Sequence, residues 1–196
     1  MERSELEHII RASAEITQQY EFVIIGSQSI LGQYPHAPDL FKASAEADIY
    51  PLKAPELADL IDAGIGEGSP FHDAYGYYAQ GVGPETAWLP RGWFERVHRV
   101  QSDHGTNGFL GLCLDVTDLF MSKAVAAREK DREFCIALFQ HDYVPVERAL
   151  ALVADMPIGE AEAAKLRARI MRWSREAAAD VQSQKPAPAN GAAGNS

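Results

Sequence analysis

Apolar residues recur at helical spacing at the start of the chain: Leu6, Ile9, Ile10 and Ile16, with Ser13 a small polar interruption on the same stripe. A period near 3.6 residues gathers such positions on one face, so residues 5–19 read as an amphipathic helix. Ser4-Glu5-Leu6-Glu7 offers a capping-box start for it. The pattern then changes. Phe22-Val23-Ile24-Ile25 is a short β-branched run stopping at Gly26, the mark of a buried strand, and a helix is expected directly after it over 27–31. Pro35 and Pro38 make 33–39 a loop, 47–50 is a second strand closed by Pro51, and 55–63 is a helix. The glycine-rich stretch 64–70 lacks the Lys-Ser/Thr ending of a P-loop and reads as a turn. Strands are expected over 75–82, 96–101 and 109–114. From Asp115 onward the period is helical, over 115–127, 130–139, 145–154 and 160–182.

Strands in the first half and helices in the second predict an α/β (α+β) fold: a small mixed sheet with a helical C-terminal half. The predicted organisation is a core over 1–140, helices over 141–182 packed on it, and a tail over 183–196. The tail's Ala/Pro/Gly/Asn-rich composition predicts disorder.

A chain of 196 residues that is 46% hydrophobic and 23% charged can bury a core without disulfides or a structural metal. Its two cysteines, Cys113 and Cys135, lie in apolar segments and are expected to be buried free thiols. With no signal-like N-terminus and no membrane-length apolar run, the expectation is a cytoplasmic protein without a membrane partner. The formal charge of −10 excludes a broadly basic nucleic-acid binder, and DNA is not an expected partner. Residues 1–90 hold 14 Asp/Glu against 4 Lys/Arg, whereas 91–196 hold 14 of each. Cations that could meet a polyanion are therefore confined to the second half.

Three separated features point to phosphate chemistry. The first strand runs into Gly26-Ser27, placing a small residue and a hydroxyl where backbone N–H groups are free to meet a phosphate. About twenty residues later comes Glu46-Ala47-Asp48, and strand alternation puts both carboxylates on one face. Two such carboxylates can hold Mg²⁺, which prefers oxygen ligands and keeps waters and substrate phosphates in its shell. The third feature is the segment 118–131. On a continuous helix Lys123, Ala127, Lys130 and Asp131 would share a face. Lys123 could then contact a triphosphate, Asp131 could orient that lysine or act as a base, and Arg128 and Lys130 could neutralise further charge. Spacing alone leaves open an ordinary surface helix with i,i+3 and i,i+4 ion pairs.

The combination resembles the nucleotidyltransferase superfamily that includes DNA polymerase β: an apolar strand, Gly-Ser, then acid-x-acid. Within it, Asp118-Leu119-x-x-Ser122-Lys123 followed by Arg128-Glu129-Lys130-Asp131 is similar to the AbiEii-type toxin branch. The run over roughly 20–140, including Gly76-Tyr77-Tyr78-Ala79-Gln80-Gly81-Val82, resembles an uncharacterised bacterial nucleotidyltransferase-like family. The resemblance implies Gly26, Ser27, Lys123, Arg128 and Lys130 at the nucleotide, Glu46 and Asp48 on Mg²⁺, and Lys123 with Asp131 in the catalytic set. It implies NMP transfer from an NTP to an acceptor hydroxyl. That acceptor could be tRNA, in a toxin paired with an antitoxin, or a partner protein; loss of catalysis would leave a nucleotide-binding module. Two departures stand out. The first acid is Glu46 rather than the commoner Asp, and no third carboxylate stands on a later strand. Asp115 is a candidate for it but fits a helix N-cap at least as well.

Other residues carry weaker signals. No His/Cys spacing matches a zinc site. Tyr75, Tyr77 and Tyr78 suit a core first and base stacking second, Trp88 and Trp93 flank a packed loop first and offer base stacking second, and Lys165, Arg169 and Arg172 form a cationic stripe that a solvated face explains first and an RNA backbone second.

Overall fold

The structure, a computed structural model, describes residues 1–183. Of the tail expected over 183–196, everything after Ser183 lies outside the described residues. Helix α1 (Arg3–Thr17) starts two residues earlier than expected, and its cap moves with it. Glu2 is the N-cap, its N–H donating to Glu5 Oε2 at 2.6 Å, while Glu7 pairs with Arg3 at 3.2 Å. Ser4 is therefore inside the helix and caps nothing. Of the expected stripe Leu6, Ile9, Ile10 and Ser13 are buried, and Ile16 is partly so.

Strand β1 (Glu21–Ile25) leads into a 3₁₀ turn (Ser27–Ser29) and one turn of α2 (Ile30–Gln33). A further single turn, α3 (Asp39–Lys42), begins at the last residue of the predicted loop, and β2 (Glu46–Pro51) follows. Helix α4 (Ala58–Ile65) and a glycine turn precede α5 (Pro70–Tyr75). This last helix corrects the strand expected over 75–82. Ser69 caps it, accepting from His72 N, Pro70 occupies its first turn, and Gly76 ends it at φ 77°. Only β3 (Tyr78–Gly81) of that stretch is extended. Strands β4 (His98–Val100) and β5 (Leu110–Cys113) complete a five-stranded sheet ordered β3-β2-β1-β5-β4. The sheet is mixed: β1/β2 and β4/β5 are antiparallel, β1/β5 and β2/β3 parallel.

Helices α6 (Val116–Ala126), α7 (Glu129–Gln140), α8 (Val146–Leu152) and α9 (Glu160–Ser183) form the C-terminal half. The fold is thus the α/β arrangement expected, with a mixed sheet and helices following it. Helices α1 and α4 lie on one sheet face. Gly111 leaves room there for Ile10, where a Cβ would come within 2.5 Å of Ile10 Cδ1, and Gly81 leaves room for the Ala58 carbonyl. Glu46 and Asp48 alternate to the opposite face, against α6 and α7. One continuous buried cluster includes Ile10, Ile24, Leu119, Leu138, Leu166 and Trp173, so α9 packs into the apolar core shared with the sheet. Both cysteines are buried and free, and burial pushes the Cys113 thiol up to about 12. Among the described residues no helix is long and apolar enough to cross a membrane.

Candidate functional site

The side chains singled out on the sheet and on α6–α7 meet in one cleft of about 960 Å³. Its floor is the end of β1 and the start of β2. Ile25 pairs with Asp48 across the antiparallel ladder, which brings Gly26 beside the second acid. Gly26 has φ 69°, and a Cβ there would lie 1.8 Å from Asp48 Oδ2. The glycine is thus fixed twice over, by backbone conformation and by the close approach of a carboxylate. Ser27 follows at the cleft surface, its hydroxyl without a hydrogen-bond partner among the described residues. The helix expected after it is only a 3₁₀ turn and one α-turn, too short for a substantial macrodipole.

Glu46 and Asp48 both line the cleft, as alternation requires. The next strand repeats the pattern: Glu46 pairs with Tyr78 and Asp48 with Gln80. Tyr78 donates its hydroxyl to Glu46 Oε2 at 3.1 Å, and burial together with this bond pushes the phenol up to about 12, so it remains a donor. Gln80, an amide and not a third acid, stands level with Asp48 on the neighbouring strand. Asp115 does not supply that acid. It caps α6 by accepting from Thr117 N at 2.9 Å and also accepts from Arg148 Nη2 at 3.0 Å. Its other oxygen lies 3.5 Å from His98 Nε2, and it does not line the cleft.

Helices α6 and α7 form the opposite wall. A continuous helix through 118–131 does not exist: Ala127 adopts φ 53°, and α7 restarts after Arg128. The kink still joins the two residues that a single helix would have aligned. Lys123 Nζ lies 3.2 Å from Asp131 Oδ1 and 4.6 Å from the centre of the Phe134 ring. Arg128 Nε reaches Asp131 Oδ2 at 2.6 Å. Burial alone would raise the Asp131 carboxyl, but these two cations hold it below the usual carboxylate range. Asp131 is fully buried behind them and does not line the cleft. Its carboxylate faces Lys123 and Arg128 and not the cleft. Lys123, Arg128 and Lys130 do line the cleft, as does Glu133. Neither Lys130 nor Glu133 has an ion-pair partner among the described residues.

The electrostatic result is unbalanced where the acids sit. Burial, with Glu46 close beside it, raises Asp48 to about 6; Lys123 and Lys130 draw it back through space. No cation is hydrogen-bonded to either acid among the described residues. No cluster of three or more His, Cys, Asp or Glu is placed to hold a metal among those residues. A divalent ion would therefore find two carboxylates here and complete its shell from solvent and phosphate, a set that suits Mg²⁺.

Several cleft residues were not legible as such. Tyr78 and Gln80 share a face by alternation, but only strand pairing sets them beside Glu46 and Asp48. Ser122 and Glu133 lie inside the motif segments with no role that spacing assigns, and Trp88, for which the sequence favours a packed loop over base stacking, stands in the cleft. The cationic stripe is dispersed. Lys165 pairs with Glu162 at 2.7 Å, Arg172 with Glu176 at 3.8 Å, and Arg169 donates to the Ala124 carbonyl.

A family model described as a nucleotidyltransferase of unknown function (DUF6036) matches residues 4–176. No curated protein and no solved structure matches the chain.

Proposed function

The chain belongs to that nucleotidyltransferase family, and from this premise we propose that it is an Mg²⁺-dependent enzyme moving NMP from an NTP to an acceptor hydroxyl. The observation that carries the proposal is the shared cleft. Two unneutralised carboxylates on β2 face Gly26-Ser27 on one side and three cations of α6–α7 on the other. In the reaction, the acceptor oxygen bonds to the α-phosphorus as the bond to the bridging β-phosphate oxygen breaks. The acceptor loses its proton and pyrophosphate leaves. Glu46 and Asp48 would hold Mg²⁺, which when bound supplies charge neutralisation to the triphosphate. Lys123, held by Asp131 and the Phe134 ring, contacts phosphate oxygens, and Arg128 and Lys130 cover the charge that develops on the leaving pyrophosphate. The Ser27 hydroxyl and the adjoining backbone position the triphosphate. Glu133, the remaining carboxylate in the cleft, is the outlet for the acceptor's proton.

The charge distribution favours a protein hydroxyl as acceptor over the tRNA 3′ end. On α9, Lys165 and Arg172 pair with glutamates and Arg169 donates to a carbonyl, which leaves Arg167 and Arg175 as its only cations without such a partner among the described residues, and the chain carries −10 overall. The tRNA reading, with an antitoxin partner, rests on the resemblance to AbiEii-type toxins. Incubation with each α-³²P-labelled NTP and Mg²⁺, with either total tRNA or cell lysate, separates the two by whether label enters protein or RNA. NTP binding without label in either would leave a nucleotide-binding module and refute transfer.

A further inference from the structure

The sheet order forces a long crossing. Strands β3 and β4 are adjacent in sequence but occupy opposite edges of the sheet, so residues 82–97 must span its whole width. Val82, Thr86, Ala87 and Trp88 line the cleft, which shows that the crossing runs over the face bearing the acids. Its far end is tied down twice. Arg91 is held by Asp155, through its N–H at 2.9 Å and its guanidinium at 3.2 Å, and Arg96 grips Asp118 with two hydrogen bonds at 2.9 and 2.7 Å. The segment is therefore a fixed strap and not a loose loop.

Trp88 is the exception on this strap. It is 49% exposed, and among the described residues neither its ring nor its indole N–H has a partner. The other two tryptophans are engaged: Trp93 meets Phe94 edge-on at 5.4 Å, and Trp173 is buried under Arg169. Leu40, also 49% exposed, lines the same cleft. Leu40 and Trp88 are the large apolar side chains of this cleft that stand exposed, beside its acids, cations and hydroxyls, and the pairing suits a ligand that carries a flat apolar part as well as charge. A nucleotide has both.

We propose that Trp88 is the platform on which the nucleobase of the incoming NTP stacks, with Leu40 as the apolar flank of the same subsite. The proposal rests on the triphosphate site described above and adds what that site lacks, a feature that distinguishes a nucleotide from a bare polyphosphate. Stacking uses the π-face that every base has, so the subsite accepts all four bases and reads none of them by its edge.

Calorimetric titration of the full chain with Mg²⁺ tests this. The probes are the four NTP analogues whose α–β bridge resists cleavage, and inorganic tripolyphosphate. For the unsubstituted protein, all four nucleotides are expected to bind about tenfold or more tighter than tripolyphosphate. Trp88→Ala should weaken nucleotide binding about five- to a hundredfold and leave tripolyphosphate unchanged, while Trp88→Phe should restore most of the loss. Unchanged nucleotide affinity in Trp88→Ala, or an equal loss for both probes, overturns the platform. Equal binding of nucleotide and tripolyphosphate by the unsubstituted protein overturns the platform and leaves the triphosphate site standing. Binding of neither overturns both.

Discussion

Two pairs of closely spaced acids in this protein meet opposite fates. Asp115 and Asp118 stand at the start of α6, both buried, and each has a guanidinium within hydrogen-bond reach: Arg148 for the first, two bonds from Arg96 for the second. Glu46 and Asp48 stand on β2 with no hydrogen-bonded cation among the described residues; a tyrosine hydroxyl bonds Glu46, and the two acids bond each other. Asp131 belongs with the first kind, clamped by Lys123 and Arg128. A carboxylate whose charge the chain itself neutralises fixes helices in place. One left beside a like charge, half-buried and facing a cleft, costs stability until something from outside supplies a cation. Residue type does not separate the two kinds; the presence of a built-in partner does.

The contrast can be broken most directly by removing one acid of each kind. Asp48→Ala should abolish nucleotidyl transfer, with a loss of at least about a hundredfold, while the protein stays folded. Transfer that survives would strip Asp48 of its place at the metal. Asp118→Ala should act the other way round, leaving Arg96 without its partner beneath the strap and lowering stability by about 2–4 kcal/mol. Denaturant unfolding reads this directly, and an unchanged midpoint would mean that the pair contributes nothing. Lys123→Ala should raise the apparent dissociation constant for NTP by about tenfold. An unchanged affinity in the same calorimetric titration would reduce Lys123 to an internal ion pair with Asp131.

The smallest effect concerns pH. Asp48 is raised from 3.8 to about 6 in the folded chain. Between those values the folded state holds the proton more tightly than the unfolded one, so this group's ionisation lowers stability as pH rises through that window. Metal-free Asp48→Asn should therefore be more stable than the unsubstituted protein at pH 7, by roughly 1–2 kcal/mol, with the difference vanishing near pH 4. Thermal melts in chelator across pH 4–7 measure it. An Asn variant no more stable at pH 7 would show that Asp48 is not under strain. By the same linkage, Mg²⁺ must displace a proton below about pH 6, and its affinity should fall there.

Local pattern made much of the site readable. The β-branched run ending at Gly26 and the i,i+2 spacing of Glu46 and Asp48 are properties of single strands, and the structure keeps both. The errors came where neighbouring signals competed. Aromatic Tyr75, Tyr77 and Tyr78 suggested one long strand, but Ser69-Pro70 and Gly76 cap a helix across the first of them. Lys123 and Asp131 would share a face only on one continuous helix; they meet instead across the break between the two helices expected over 115–127 and 130–139, at Ala127, where the second helix folds back toward the first.

The sequence alone determined which residues could do chemistry and which face of its own element each would occupy, because helical and strand periods are set by the backbone within a few residues. Only the tertiary structure decided what stands opposite them. Strand pairing placed Gln80 level with Asp48 and Tyr78 on Glu46, and the edge-to-edge crossing carried Trp88 into the cleft. The joint between α6 and α7 set Asp131 against Lys123 and Arg128, behind the cleft wall. Those outcomes depend on the pairing energies of segments tens of residues apart, which no local period encodes.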